Sequence, residues 1–132
     1  MEKKGKVLVV VLLVVMLVGL WGGLVFAQEG KKLVFGYIAY SRKDVWNNYS
    51  ILAFEYAAKK KGIETIVLDP EGNLEKAVAA MEDLIAKKVD GISVFTITPE
   101  LDVTLYEMAK KAGIPITFEN SLPADTSLDY IS

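Results

Sequence analysis

From Gln28 onward, short runs rich in β-branched residues alternate with longer stretches in which apolar residues recur at three- and four-residue steps. That alternation is the sign of successive βαβ units, and so of a parallel sheet with helices on its faces. Four strands are predicted, at residues 33–39, 63–68, 91–95 and 114–118. Each is apolar with little alternation, which predicts central strands covered on both sides.

The intervening stretches read as helices. Between the first two strands, Trp46, Tyr49, Ala53, Tyr56 and Ala57 form the predicted inward stripe, and the helix closes at Lys59, Lys60, Lys61 and Gly62. The second opens at the capping residue Asn73 and lines up Leu74, Ala77, Val78, Met81, Leu84 and Ile85 on one face. The third opens with Thr98 as cap and Pro99 at the first helical position. It carries Leu101, Leu105, Met108 and Ala112 and stops at Gly113. Each unit closes with lysines that complement the helix dipole, then a glycine or aspartate, then a strand. Right-handed crossovers and the usual doubly wound arrangement give the strand order 2-1-3-4. The chain changes direction between strands one and three, so a crevice is expected at their carboxyl ends.

The first 27 residues differ from the rest. Lys3, Lys4 and Lys6 precede an unbroken apolar run from Val7 to Val18, followed by Gly19, Gly22 and Gly23, with Val25 and Ala27 at the places a signal peptidase accepts. The expectation is a signal peptide over 1–27, a mature domain over 28–132, and export to the periplasm or another extracytoplasmic part of the cell envelope. An uncleaved anchor is the alternative, because the apolar stretch continues to Phe26 and is long enough to span a bilayer. Fifteen basic against seventeen acidic residues leave a net charge of -2, with no surplus to draw the chain onto nucleic acid. The sequence has no cysteine and no histidine, which removes thiol nucleophiles, disulfides, zinc clusters and imidazole acid–base chemistry. No glycine-rich phosphate cradle precedes a helix. An enzyme is not expected, nor is a cofactor or metal. A phospho-receiver would want acidic residues where Tyr40 and Thr96 stand.

The residues following the strands are the candidate site. Tyr40, Ser41, Arg42, Lys43, Asp44 and Trp46 follow the first, Thr96 and Thr98 the third, and Glu119 and Asn120 the fourth. Carboxylates, an amide, hydroxyls and one indole suit a neutral polyol: polar groups pair with adjacent hydroxyls while an aromatic face covers the C–H side of a sugar ring. Simpler roles compete. Trp46 on the helical stripe can also be read as core, Asp44 and Thr98 as helix caps, Glu119 and Asn120 as turn residues, and Asp69 before Pro70 as turn chemistry.

The order Val34-Phe35-Gly36-Tyr37-Ile38, Trp46, Ala57-Ala58-Lys59-Lys60-Lys61-Gly62, Val67-Leu68-Asp69, Leu84-Ile85-Ala86-Lys87-Lys88-Val89-Asp90-Gly91-Ile92 and Lys110-Lys111-Ala112-Gly113-Ile114-Pro115-Ile116 resembles the start of the periplasmic sugar-binding proteins of ABC transporters. The ribose, galactose, arabinose and xylose binders are the nearest kin, and the likeness covers 32–132, with 125–132 resembling the run into a fifth strand. The resemblance implies an incomplete N-terminal lobe of a two-lobe fold, a sugar ligand and an ABC permease partner. By it, Trp46 falls where the family stacks an aromatic ring on the sugar and Asp44 where several members bind a hydroxyl. Glu119 and Asn120 fall where members carry an aspartate or asparagine. Tyr40 replaces the arabinose binder's lysine, and Asn47 stands where the ribose binder has a second aromatic, so one stacking ring is expected. The family closes two lobes on its ligand, so a chain ending at Ser132 is expected to be a truncated and marginally stable product. A receptor for a sugar-like signal, and a fragment without function, are the alternatives.

Overall fold

The structure is a computed structural model that describes residues 31–125 and 127. The expected signal segment and most of the run towards a fifth strand lie outside the described residues. Four parallel strands, β1 (Val34–Ile38), β2 (Glu64–Leu68), β3 (Gly91–Phe95) and β4 (Ile116–Glu119), alternate with α1 (Val45–Lys60), α2 (Leu74–Ala86) and α3 (Pro99–Ala112). The sheet order is β2-β1-β3-β4, as the crossover argument expects. Register follows in rows, with Tyr37 beside Val67 and Ser93, Ser93 beside Thr117, and Ile38 beside Leu68 and Val94.

Because strand side chains alternate, each row belongs to one face. On one face Ile38, Ile92, Val94, Ile116 and Phe118 meet Ala77, Met81 and Leu84 of α2 and Leu105, Tyr106 and Ala109 of α3. This is the main core, in which each fully buried large side chain contributes about 1.5–3 kcal/mol relative to exposure. Gly36 lets α2 approach: a Cβ there would stand 2.6 Å from Leu84 Cδ1. On the opposite face a smaller cluster joins Tyr37, Ala39 and Phe95 to Ile51 of α1, with Phe54 and Val67 packed against it. All three helices are capped as the sequence predicts. Asp44 Oδ1 accepts from Asn47 N at 2.7 Å, Asn73 Oδ1 from Lys76 N at 2.9 Å, and Thr98 Oγ1 from Leu101 N at 3.2 Å. Gly113 takes the left-handed conformation, φ 71°, that ends α3.

Two expectations are corrected. The strands are not all central: β2 and β4 are the edges of the described sheet. Over β3 and β4 the α1 face carries Ser93, Thr117 and Glu119, which border an open trough with Phe35 and Phe54. The apolar look of β4 comes from Ile116 and Phe118 alone. The phase of α1 is also reversed. Its buried residues are Asn47, Ile51 and Ala58, whereas Trp46, Tyr49, Ala53, Tyr56 and Ala57 are exposed. The helix is apolar on both sides, so periodicity alone selects neither.

Candidate functional site

The crevice forms at the carboxyl ends of β1, β3 and β4, where the direction change places it. A cleft of about 330 Å³ is lined by Tyr40, Asp44, Trp46, Phe95, Thr96, Ile97 and Asn120. Four of the six predicted residues, Tyr40, Asp44, Trp46 and Asn120, therefore meet around one space. Trp46 sits in the first turn of α1 with its indole largely in solvent, which rules out its reading as core. Asp44 caps the same helix, and its carboxylate borders the cleft while Oδ1 holds the Asn47 amide. Asn120 follows β4 at φ 74°, a left-handed conformation that asparagine tolerates better than most residues.

The other two are brought elsewhere. Asn47 is fully buried. Its Oδ1 accepts from the backbone amides of Tyr40 and Ser41, each at 2.9 Å, and its Nδ2 donates to the Tyr37 hydroxyl at 3.4 Å. The residue underpins the loop that carries the cleft wall and does not face the cleft itself. Glu119 is the last residue of β4, one place further along the strand than the pattern predicts, and strand alternation turns it to the α1 face. There Oε1 accepts from Ser93 Oγ at 2.9 Å, while Oε2 accepts from Ser50 Oγ and lies 3.2 Å from the Tyr37 hydroxyl. Burial, with the nearby Glu119 charge, pushes the Tyr37 phenol above its ordinary range, against the opposing bonds from Ser50 and Asn47.

The loop between β1 and α1 is held from both sides. Asp69 Oδ2 accepts from Arg42 N at 3.1 Å, and Asp69 Oδ1 from Glu71 N at 2.9 Å, so Asp69 does its predicted turn work and also joins two loops. Tyr40 O accepts from Gly72 N at 2.7 Å. Gly72 has φ 73° and lies under the Tyr40 ring, so a side chain there would be strained in its backbone, although its Cβ would meet the ring at an ordinary contact distance of 3.4 Å. Outside, the Glu71 carboxylate pairs with Lys43 at 2.8 Å and Lys76 at 3.2 Å, which holds its carboxyl below the usual range.

One residue beneath the cleft is missing from the sequence-based set. Thr96, on the cleft wall, donates from Oγ1 to Asp102 Oδ2 at 2.7 Å, with the Ser121 carbonyl at 3.3 Å. Asp102 is fully buried and its Oδ1 has no hydrogen-bond partner. Burial pushes its carboxyl up to about 6, with Glu100 adding to the rise and the Thr96 bond opposing it. The signal for it is an acid set three residues before Leu105 and four before Tyr106, on the buried stripe of α3. Phe95 and Ile97 line the cleft as apolar wall and carry no polar signal. Among the described residues no group of three or more acidic, cysteine or histidine side chains is arranged to hold a metal ion.

Comparison with known proteins agrees with the fold. No curated protein sequence matches the chain. Among solved structures, the D-allose-bound periplasmic solute-binding protein of an ABC transporter from Actinobacillus succinogenes 130z is 28% identical, with a TM-score of 0.65 over 73% of this chain and 34% of that one. A protein from Mycobacterium smegmatis in complex with β-D-fucofuranose is 22% identical, TM-score 0.67, over 74% and 33%. A galactofuranose binding protein is 20% identical, TM-score 0.66, over 71% and 32%. The chain thus spans about a third of the length of these proteins, and the lobe it describes is a partial one. The family model described as periplasmic binding protein domain matches residues 35–132. Most of the sequence, the four strands but for Val34 at the start of β1, and the crevice they open fall within that match, and the chain belongs to the periplasmic binding protein domain family.

Proposed function

We propose that the chain supplies one wall of a sugar-binding cleft in an extracytoplasmic solute receptor, and that the receptor delivers its sugar to an ABC permease in the membrane. The observation that carries this reading is the cleft itself, in which Trp46, Asp44, Tyr40 and Asn120 meet around one space at the sheet's switch point, with Thr96 in its wall. An exposed tryptophan beside acceptors and donors fits a ring with an apolar C–H side and a polar edge. The allose-, fucofuranose- and galactofuranose-binding neighbours support a sugar as the class. The family is a non-enzymatic solute-binding fold, and the same wall holds no imidazole or thiol to drive catalysis. Family membership together with the signal-like residues 1–27 supports an extracytoplasmic location.

Trp46 is the only tryptophan after residue 27, which makes it the reporter. A 28–132 chain is titrated with a panel of pentoses and hexoses, D-allose among them, while indole emission is followed. A saturable change is expected at high sugar concentration, because half a cleft buries less of the ligand than two closed lobes do. Replacing Asp44 by Asn weakens that response and leaves the fold in place, since Asn also caps helices well. A folded sample whose emission no sugar alters overturns the reading.

A further inference from the structure

Thr96 is bonded to the chain on both sides of Asn120. Its backbone amide donates to the Glu119 carbonyl at 3.1 Å, and its hydroxyl lies 3.3 Å from the Ser121 carbonyl. Asn120, between them, lines the cleft in the left-handed conformation that few residues other than glycine adopt. Where it stands therefore depends on how its two neighbours are held. The hydroxyl bond is contested. Thr96 Oγ1 has one proton and two acceptors in reach, the Ser121 carbonyl and, nearer at 2.7 Å, Asp102 Oδ2. An ionised carboxylate is the stronger acceptor and cannot donate, so it takes that proton and leaves the Ser121 carbonyl without it. Asp102 is fully buried and nothing bonds its Oδ1, so a proton taken up from solvent is best placed on Oδ2. From there it donates to Thr96 Oγ1, and the Thr96 proton turns to Ser121. The three oxygens then form one chain in which each bond strengthens the next.

We propose that Asp102 is a positioning residue for the cleft: its protonation decides whether Thr96 holds the Ser121 carbonyl, and with it the Asn120 side of the cleft wall. This role rests on the cleft being the binding site. Burial raises the carboxyl to about 6, so the exchange falls in mild acid. The neighbouring elements supply no competing switch. β3 leads into Thr96 and β4 into Ser121, neither of which titrates, and α2 meets this side of the sheet through Ala77, Met81 and Leu84. Among the described residues the one charge acting on the carboxyl is that of Glu100, in the same helix.

The full chain, labelled with 13C and 15N and held in mild detergent, is titrated from pH 8 to pH 4. The Asp102 carboxyl carbon and the Ser121 carbonyl carbon are expected to shift with one midpoint, Ser121 moving downfield as pH falls, the direction of a carbonyl that gains a hydrogen bond. Thr96→Val removes the Ser121 shift while Asp102 still titrates, and Thr96→Ser restores it. Asp102→Asn offers Thr96 a donor or an acceptor but does not titrate, and leaves Ser121 flat. A carboxylate with only a structural role would titrate without moving the Ser121 carbon. D-Allose binding, read from the Asn120 amide signal of the same samples, is expected to be several-fold tighter at pH 5 than at pH 7, and equal at both in Asp102→Asn. A Ser121 carbon that ignores the Asp102 titration, one that still follows it in Thr96→Val, or an allose affinity equal at both pH values in the native chain each overturn the proposal. If neither D-allose nor any other sugar binds at either pH, the sugar reading falls instead, and the carbonyl titration, which needs no ligand, still decides whether Asp102 commands the loop.

Discussion

Asp102 turns one buried oxygen into a measurable dependence of stability on pH. The residue lies in the first turn of α3, where the helix dipole favours a negative charge, yet it is sealed from water and only one of its oxygens is hydrogen-bonded. Its carboxyl is raised from an ordinary 3.8 to about 6. The folded state therefore holds the proton more tightly than the unfolded chain. Stability from this group is highest below pH 3.8, falls as pH rises through the window from 3.8 to 6, and is lowest above it. A rise of that size corresponds to roughly 3 kcal/mol of cost at neutral pH, a large share of what holds a small domain together. Asp102→Asn keeps an oxygen to accept from Thr96 and removes the charge. Urea titrations of both proteins from pH 4 to pH 8 are expected to show the variant more stable at pH 7, with the advantage shrinking towards pH 4. The difference between the two curves cancels every other titrating group. A difference that is flat across that range, or a variant less stable at pH 7, would refute the idea that burial of this carboxylate is uncompensated.

Asn47→Ala leaves the amides of Tyr40 and Ser41 without their buried acceptor, at about 1–3 kcal/mol for each unsatisfied group. Lower urea midpoints and faster hydrogen exchange confined to those two amides are expected, and Asn47→Asp, which keeps the acceptor, recovers most of the exchange protection. Gly36→Ala drives a methyl group to 2.6 Å from Leu84 Cδ1 and is expected to cost about 1–3 kcal/mol. Combining it with Leu84→Val should cost less than the sum of the two single changes in denaturant titrations; strict additivity would mean that the two side chains do not meet.

The parts of the fold carried by local chemistry are readable from the residues alone. The caps Asp44, Asn73 and Thr98, the glycine stop at Gly113 and the third strand at 91–95 are each set by a few neighbouring residues, and strand order then follows from crossover handedness. What cannot be read this way depends on partners distant in sequence. On α1 both faces are apolar, so only the packing of Ile51 against Tyr37 and Phe95 decides which turns inward. Glu119 reads as a rim residue because the apolar pattern of its strand ends at Phe118. One further paired residue, with Phe95 beside Glu119, sends the carboxylate to the other side of the sheet. Only the family resemblance places Asn47 at the site, and a sequence position does not show whether an amide faces a ligand or braces the loop behind it, as this one does.

The pinning of the β1–α1 loop bears on where binding strength is gained or lost. Asn47 grips it from below and Asp69 and Gly72 from the side, so Tyr40 and Asp44 stand in place before any ligand arrives. A ligand reaching this wall has little loop entropy to quench, and ordering a loose segment would otherwise subtract from its affinity. Weak binding by this chain would then measure the contacts an opposing wall contributes, and adding such a wall should strengthen it mainly by slowing ligand escape.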